Sequence, residues 1–94
     1  MIQTKNPEVK AQIKRRLARI EGQLRGVQKM IDDERDCREV LQQLIAVRSG
    51  IQSASLSFLQ EVASECLLNL EAGDEPASQR ATMAELIKML GKVT

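Results

Sequence analysis

Residues 37–70 read CREVLQQLIAVRSGIQSASLSFLQEVASECLLNL. No proline interrupts this stretch. Its apolar positions fall mostly three and four apart, the period of an α-helix. They include Val40, Leu41, Leu44, Val47, Ile51, Ala54, Phe58, Leu59, Val62, Cys66 and Leu70. On a helical wheel they fill an arc of roughly 200°. A helix with so wide an apolar face covers more than one neighbour. The preceding helix is one candidate and a second subunit is another. Arg48 falls inside this arc, which suits an interface ion pair or a reach toward nucleic acid.

The same stretch holds the only two cysteines, Cys37 and Cys66. At about 100° per residue, their separation returns them to within roughly 20° of one direction. At a rise of ~1.5 Å per residue they are also roughly 43 Å apart. A disulfide needs Cα atoms within about 7 Å, so one straight helix cannot join them. Acting together, each must meet its counterpart on a second, antiparallel chain. A two-fold axis near Ile51–Gln52 sets Cys37 of one chain opposite Cys66 of the other, twice over. Gly50 beside that point allows close approach. Cys37 opens a helix and neighbours Arg35 and Arg38, a setting that favours thiolate. Cys66 lies among Val62, Ala63, Glu65 and Leu67, a setting that favours thiol. An attacking thiol with a less ionised partner fits a redox switch. Two thiolates also suit Cu(I), and free cysteines also serve as buried filler.

Working outward, the polar run Asp32 to Asp36 breaks the pattern, and Asp33 or Asp36 can cap the helix that Cys37 opens. Upstream, a helix is expected from Asn6 or Pro7 to Asp32, with proline suited to the first turn. Val9, Ile13, Leu17, Ile20, Leu24, Val27 and Ile31 form a heptad-like seam. The opposite side carries Ala11, Arg15, Ala18, Gly22, Arg25, Gly26 and Lys29. Small residues among cations admit either a phosphate backbone or another helix. Downstream, the stop EAGDEP at 71–76 precedes a short helix expected from Ser78, its N-cap, to Lys92. Met83, Leu86, Ile87 and Leu90 give that helix one apolar stripe.

The 94 residues read as one all-α domain of three helices, stabilised by association. Lys and Arg number eight in residues 1–29 against two acids, leaving six basic and eleven acidic residues elsewhere. A basic first third suggests a polyanion-binding face, with a solvated surface as the plain alternative. No apolar run reaches the ~20 residues that span a bilayer. The polar start lacks the apolar core of a signal peptide. A cytoplasmic setting is expected, where structural disulfides are rare. The chain has no histidine, which removes imidazole metal sites and His-based catalytic triads. An enzyme is not expected.

RLARIEGQ at 16–23 and DCREVLQQLIAVR at 36–48, with Glu65-Cys66 and Glu85-Leu86-Ile87, resemble the copper-sensitive operon repressor (CsoR) family. The resemblance implies antiparallel dimers assembled into a disc-like tetramer that represses transcription without a helix-turn-helix. In copper-sensing members a histidine stands four residues before the second cysteine; here that position is Val62. Nickel and cobalt sensors need histidines as well. The pattern of two cysteines and no histidine resembles the persulfide-sensing CstR-type branch. That resemblance implies a di- or polysulfide between Cys37 and Cys66 of neighbouring subunits, with reactive sulfur as effector and no cofactor. Cu(I) held by the two thiolates is the alternative, and a plain helical interaction module is a third. Operator DNA is then expected on the basic first helix, at Lys14, Arg15, Arg16 and Arg19, with Arg48 added from the second helix.

Overall fold

The structure, a computed structural model, describes residues 4–71 and 76–93, apart from the side chains of residues 66, 69–71 and 76. Three helices account for almost all of them: α1 (Pro7–Asp32), α2 (Cys37–Glu71) and α3 (Pro76–Val93). The first two match the sequence expectation within a residue. The third begins at Pro76 rather than Ser78. Proline is at home in a first helical turn because its missing N–H has no partner to lose there. Ser78 therefore lies inside the helix and is not its cap.

Each end of the α1–α2 connection has a local cause. Asn6 caps α1, its Oδ1 accepting from the Glu8 N–H at 2.9 Å, with Pro7 immediately after. At the other end, the Arg35 N–H donates to the Met30 carbonyl at 3.0 Å and the Glu34 N–H to the Ile31 carbonyl at 3.1 Å. This pair of bonds is a Schellman motif. Its left-handed position is held by Glu34, at φ 55°. Asp33 is the C-cap of α1. Asp36 caps α2, its Oδ1 accepting from the Arg38 N–H at 2.8 Å.

α1 and α3 each pack on α2, and among the described residues they do not touch each other. The molecule is elongated, 57 × 27 × 15 Å. Its core is split in two. Ile20, Val47 and Ala54 join α1 to α2, with Ile13 against them. Val62 and Leu86 join α2 to α3, with Leu59, Ala63 and Met83 around them. Gly50 serves the first cluster. A Cβ built there would stand 3.8 Å from Cγ1 of Ile20. Gly50 therefore faces its own α1, not the cysteine side, which lies some 140–160° away around α2. The close approach it allows is within the protomer.

The α1 seam is only partly used. Val9, Ile20 and Val27 are buried, whereas Leu17, Leu24 and Ile31 remain exposed. Thirteen large hydrophobic side chains are exposed among the described residues, Ile31 and Leu41 at 58% each. These side chains leave the protomer with apolar surface available for further contacts.

Glu34 occupies backbone space that L side chains enter only at a cost. Replacing it with glycine removes that strain, offset by glycine's larger loss of freedom on folding. Glu34→Gly should raise stability by about 0.5–1 kcal/mol, read as a higher denaturation midpoint. An equal or lower midpoint would show that the Glu34 side chain contributes more than the strain removes.

Candidate sensor and nucleic-acid sites

α2 is a single uninterrupted helix of 35 residues. Cys37 is its first residue and Cys66 lies near its end. The unbroken helix keeps their backbones roughly 43 Å apart, so the two thiols cannot bond within one protomer. Cys37 is free and exposed. The side chain of Cys66 lies outside the described residues.

Cys37 stands at the edge of a groove of about 500 Å³ lined by Ile31, Glu34, Arg35, Val40, Leu41 and Leu44. Arg35 lines this groove with Cys37, but each flanking cation also holds a carboxylate. Arg35 binds Glu39 one turn on, Nη2 to Oε2 at 2.7 Å, and donates from Nε to the same oxygen at 3.1 Å. Arg38 turns back to Asp36, Nη2 to Oδ2 at 3.3 Å. Each guanidinium expected to assist the thiol is thus shared with a carboxylate. The positive end of the α2 dipole lies at Cys37 as well. Asp36 gains from the same arrangement. The Arg38 side chain, and then the Arg38 N–H, hold its carboxyl below the ordinary value of 3.8.

Val62 is 7% exposed and packs on Leu86 of α3. It has no donor atom and is committed to the α2–α3 core. Among the described residues, no group of three His, Cys, Asp or Glu side chains is placed to hold a metal. An imidazole-containing metal centre does not fit this chain. The soft donors present are two thiols and four methionines.

Lys14, Arg15, Arg16 and Arg19 are all exposed on α1, but the helix does not gather them. Lys14 and Arg16 point about 160° apart, while Arg19 stands about 60° from Arg16 and one turn on. Arg16 leans over α2 and donates from Nη1 to Oγ of Ser53 at 3.4 Å. Arg48 is exposed as well, yet its direction on α2 falls within about 20° of Cys37 and some 140° from Ser53. Arg16 and Arg48 therefore occupy different faces, and Arg48 shares its side of α2 with Cys37. Gly22 and Gly26 look onto open space, with nothing within 4 Å of a Cβ built at either. The sequence reading missed the polar side of α2, where Ser49, Ser53 and Ser57 repeat at the helical period. That period was the signal that could have found it.

No described helix is long and apolar enough to cross a membrane. Three helices with exposed apolar side chains, an exposed cysteine at a helix start and a predominantly basic α1 describe a small all-helical protein. Residues 9–92 match the family of metal-sensitive transcriptional repressors, and the chain belongs to that family. It is similar to the copper-sensing transcriptional repressor CsoR of Bacillus subtilis, 34% identical over 96% of this chain and 86% of that protein. It is likewise similar to the copper-sensing repressor RicR of Mycobacterium tuberculosis, 36% identical over 79% of this chain and 83% of that one. Among solved structures, the Cu(I)-bound repressor CsoR of Geobacillus thermodenitrificans superposes with a TM-score of 0.77 at 32% identity, covering 98% of this chain and 92% of that one. The nickel-responsive regulator InrS superposes with a TM-score of 0.72 at 29% identity, covering 98% and 97%. These relatives are transcriptional repressors and regulators, not enzymes.

Asp36 is ionised in the capped helix. Its lowered value means that the cap is complete above the ordinary carboxylate value and is lost as pH falls through the lowered one. In an acid titration, the Arg38 amide proton should therefore move with a midpoint below 3.8. A midpoint at or above that value would show that the cap and ion pair do not persist in solution.

Proposed function

We propose that this chain is a DNA-binding repressor, assembled as an antiparallel dimer and then a tetramer, that releases its operator on contact with persulfides or related reactive sulfur. The reading is carried by the placement of two cysteines on one face of a helix that cannot fold back on itself. A second copy running the other way is the simplest means of pairing Cys37 with Cys66 of the partner subunit. Exposed Leu17, Leu24, Leu41, Leu44 and Ile51 supply apolar surface for such contacts.

The chemistry needs only the two thiols and a sulfane donor. A Cys37 thiolate attacks the outer sulfur of a hydropersulfide, R–S–SH. It takes that sulfur as Cys37–S–SH and releases RS⁻. The thiolate of Cys66 of the partner subunit then attacks the Cys37 sulfur, expels HS⁻ and closes a disulfide. Each cysteine loses one electron, and the sulfane sulfur is reduced by two. The crosslink favours an arrangement of subunits whose basic faces no longer match DNA. A tenfold to thousandfold loss of affinity needs a coupling of only about 1.4–4 kcal/mol.

DNA binding rests on α1, with Arg15, Arg16 and Arg19 on phosphates and Lys14 on a separate flank. Arg48, on the thiol face, has the better claim as an interface residue.

A second reading has its own support, since two relatives are named as copper-sensing. Two thiolates are soft ligands suited to Cu(I). Val62 removes the histidine position, so a site here would rest on the cysteines and a further ligand.

Two outcomes test the proposal. Cys37→Ala should keep DNA affinity yet abolish release by a persulfide donor, and the treated wild type should run as a dimer on a non-reducing denaturing gel. Normal release by the variant, or an oxidised band that is wholly monomeric, would sink the sulfur chemistry. Tight stoichiometric Cu(I) binding that frees the DNA would instead transfer the effector to the second reading. Arg16→Ala should weaken binding and flatten the logarithmic salt dependence by about one unit. An unchanged slope would mean that Arg16 touches no phosphate.

A further inference from the structure

Ser49, Ser53 and Ser57 stand one turn apart along the side of α2 that flanks α1. With Gln52, Gln60 and Leu56, and with Arg16 reaching across from α1, they line an open groove of about 430 Å³. That is ample for a phosphodiester group, which displaces waters of about 30 Å³ each. The Arg16 guanidinium donates to Ser53 and has no carboxylate within ion-pair distance among the described residues. No lining residue of the groove is acidic. Glu61, one turn on from Ser57, lines the smaller adjoining cleft that shares Arg16 and Ser57 with the groove. The groove at Cys37 differs in kind, because it is walled by Ile31, Val40, Leu41 and Leu44, and its one cation, Arg35, stands beside Glu34 and is already paired with Glu39. A polyanion meets an unpaired guanidinium among hydroxyls in the first groove, and a paired one among apolar side chains in the second.

We propose that the groove between Arg16 and the serine side of α2 binds a phosphodiester of the DNA backbone, with Arg16 taking the charge and Ser53 and Ser57 donating hydroxyl hydrogen bonds. The assignment rests on the DNA-binding reading and extends it from α1 to a defined wall of α2. Neutral donors alternating with one cation are common partners of phosphate oxygens, and they fix register without reading sequence. Gln52 is already engaged, donating from Nε2 to the Val93 carbonyl at 3.2 Å. It therefore ties the end of α3 to the rim of the groove and is not counted among the donors.

The test uses the full chain and a mixed-sequence, fluorescein-labelled DNA duplex, because phosphate contacts need no particular base sequence. Affinity is read by anisotropy across a salt series, with assembly mass and thermal midpoint measured on each variant. Ser53→Ala should weaken binding about three- to tenfold, the usual cost of one hydrogen bond, without changing the salt slope. Ser53→Asp should weaken it far more, whereas Ser78→Asp, at the exposed start of α3, should leave it near the wild-type value. Wild-type binding with no change in either Ser53 variant overturns the groove and leaves DNA binding by α1 standing. A Ser53→Asp loss accompanied by an altered assembly mass assigns the groove to a contact between copies and overturns the phosphate role. Absence of any wild-type binding at low salt removes the DNA-binding reading, and the groove with it.

Discussion

A helix longer than its own protomer can cover sets the terms for this molecule. α2 has 35 residues, about 52 Å at 1.5 Å per residue, and the whole chain is only 57 Å long. α1 covers the first half along one side through Ile20, Val47 and Ala54, and α3 covers the second half through Val62 and Leu86. Neither contact is broad. No large side chain among the described residues is fully buried. A protomer with so divided a core has little to set against the entropy of ordering nearly every residue in a helix. Its remaining apolar stripes, above all Leu17, Leu24 and Ile31 at heptad steps, are the surface on which the proposed assembly depends.

The helices were legible because their punctuation is local. Asn6-Pro7, the polar run at 32–36 and the stop at 71–76 are read directly from residue chemistry, and two of three starts came out correctly. The third did not, because Ser78 and Pro76 are both good helix openers and the proline stands first. The α1 seam was read as one object, although Val9, Ile20 and Val27 are buried while Leu17, Leu24 and Ile31 stay exposed. Periodicity reports which side of a helix is apolar, but not which neighbour covers each residue. Gly50 shows the same limit. Its position near the midpoint of the two cysteines suggested the subunit crossing, yet its phase turns it toward Ile20.

At the site, the relation between Cys37 and Cys66 was legible in the sequence, since helical phase is arithmetic once the helix is unbroken. Their charged neighbours were harder. Arg35 and Arg38 sit beside Cys37 in sequence, but a guanidinium on a helix start chooses among carboxylates within a turn. Glu39 holds Arg35 and Asp36 holds Arg38. The missing histidine at position 62 was visible as an absence. Its structural meaning was not: Val62 is half of the α2–α3 core, so this position contributes packing where a ligand would need to swing free.

The two faces of α2 also suggest how a chemical event at one place can be felt at another. The thiols lie at the two ends of the helix, and the Arg16 groove lies midway between them, some 140–160° around the axis. No chain of side chains needs to connect them. A packed helix moves as a rigid element, and subunits that rotate about an interface repack it in discrete steps. In the proposed assembly, a crosslink at each end of α2 fixes the angle at which two such helices cross. The groove rides on the same helix, with α1 held to it at Gly50 and the end of α3 tied to its rim through Gln52. Fixing the crossing angle therefore fixes the spacing between the grooves of neighbouring copies. A DNA backbone, whose phosphates have set positions, is sensitive to that spacing even when every individual contact in each groove is intact.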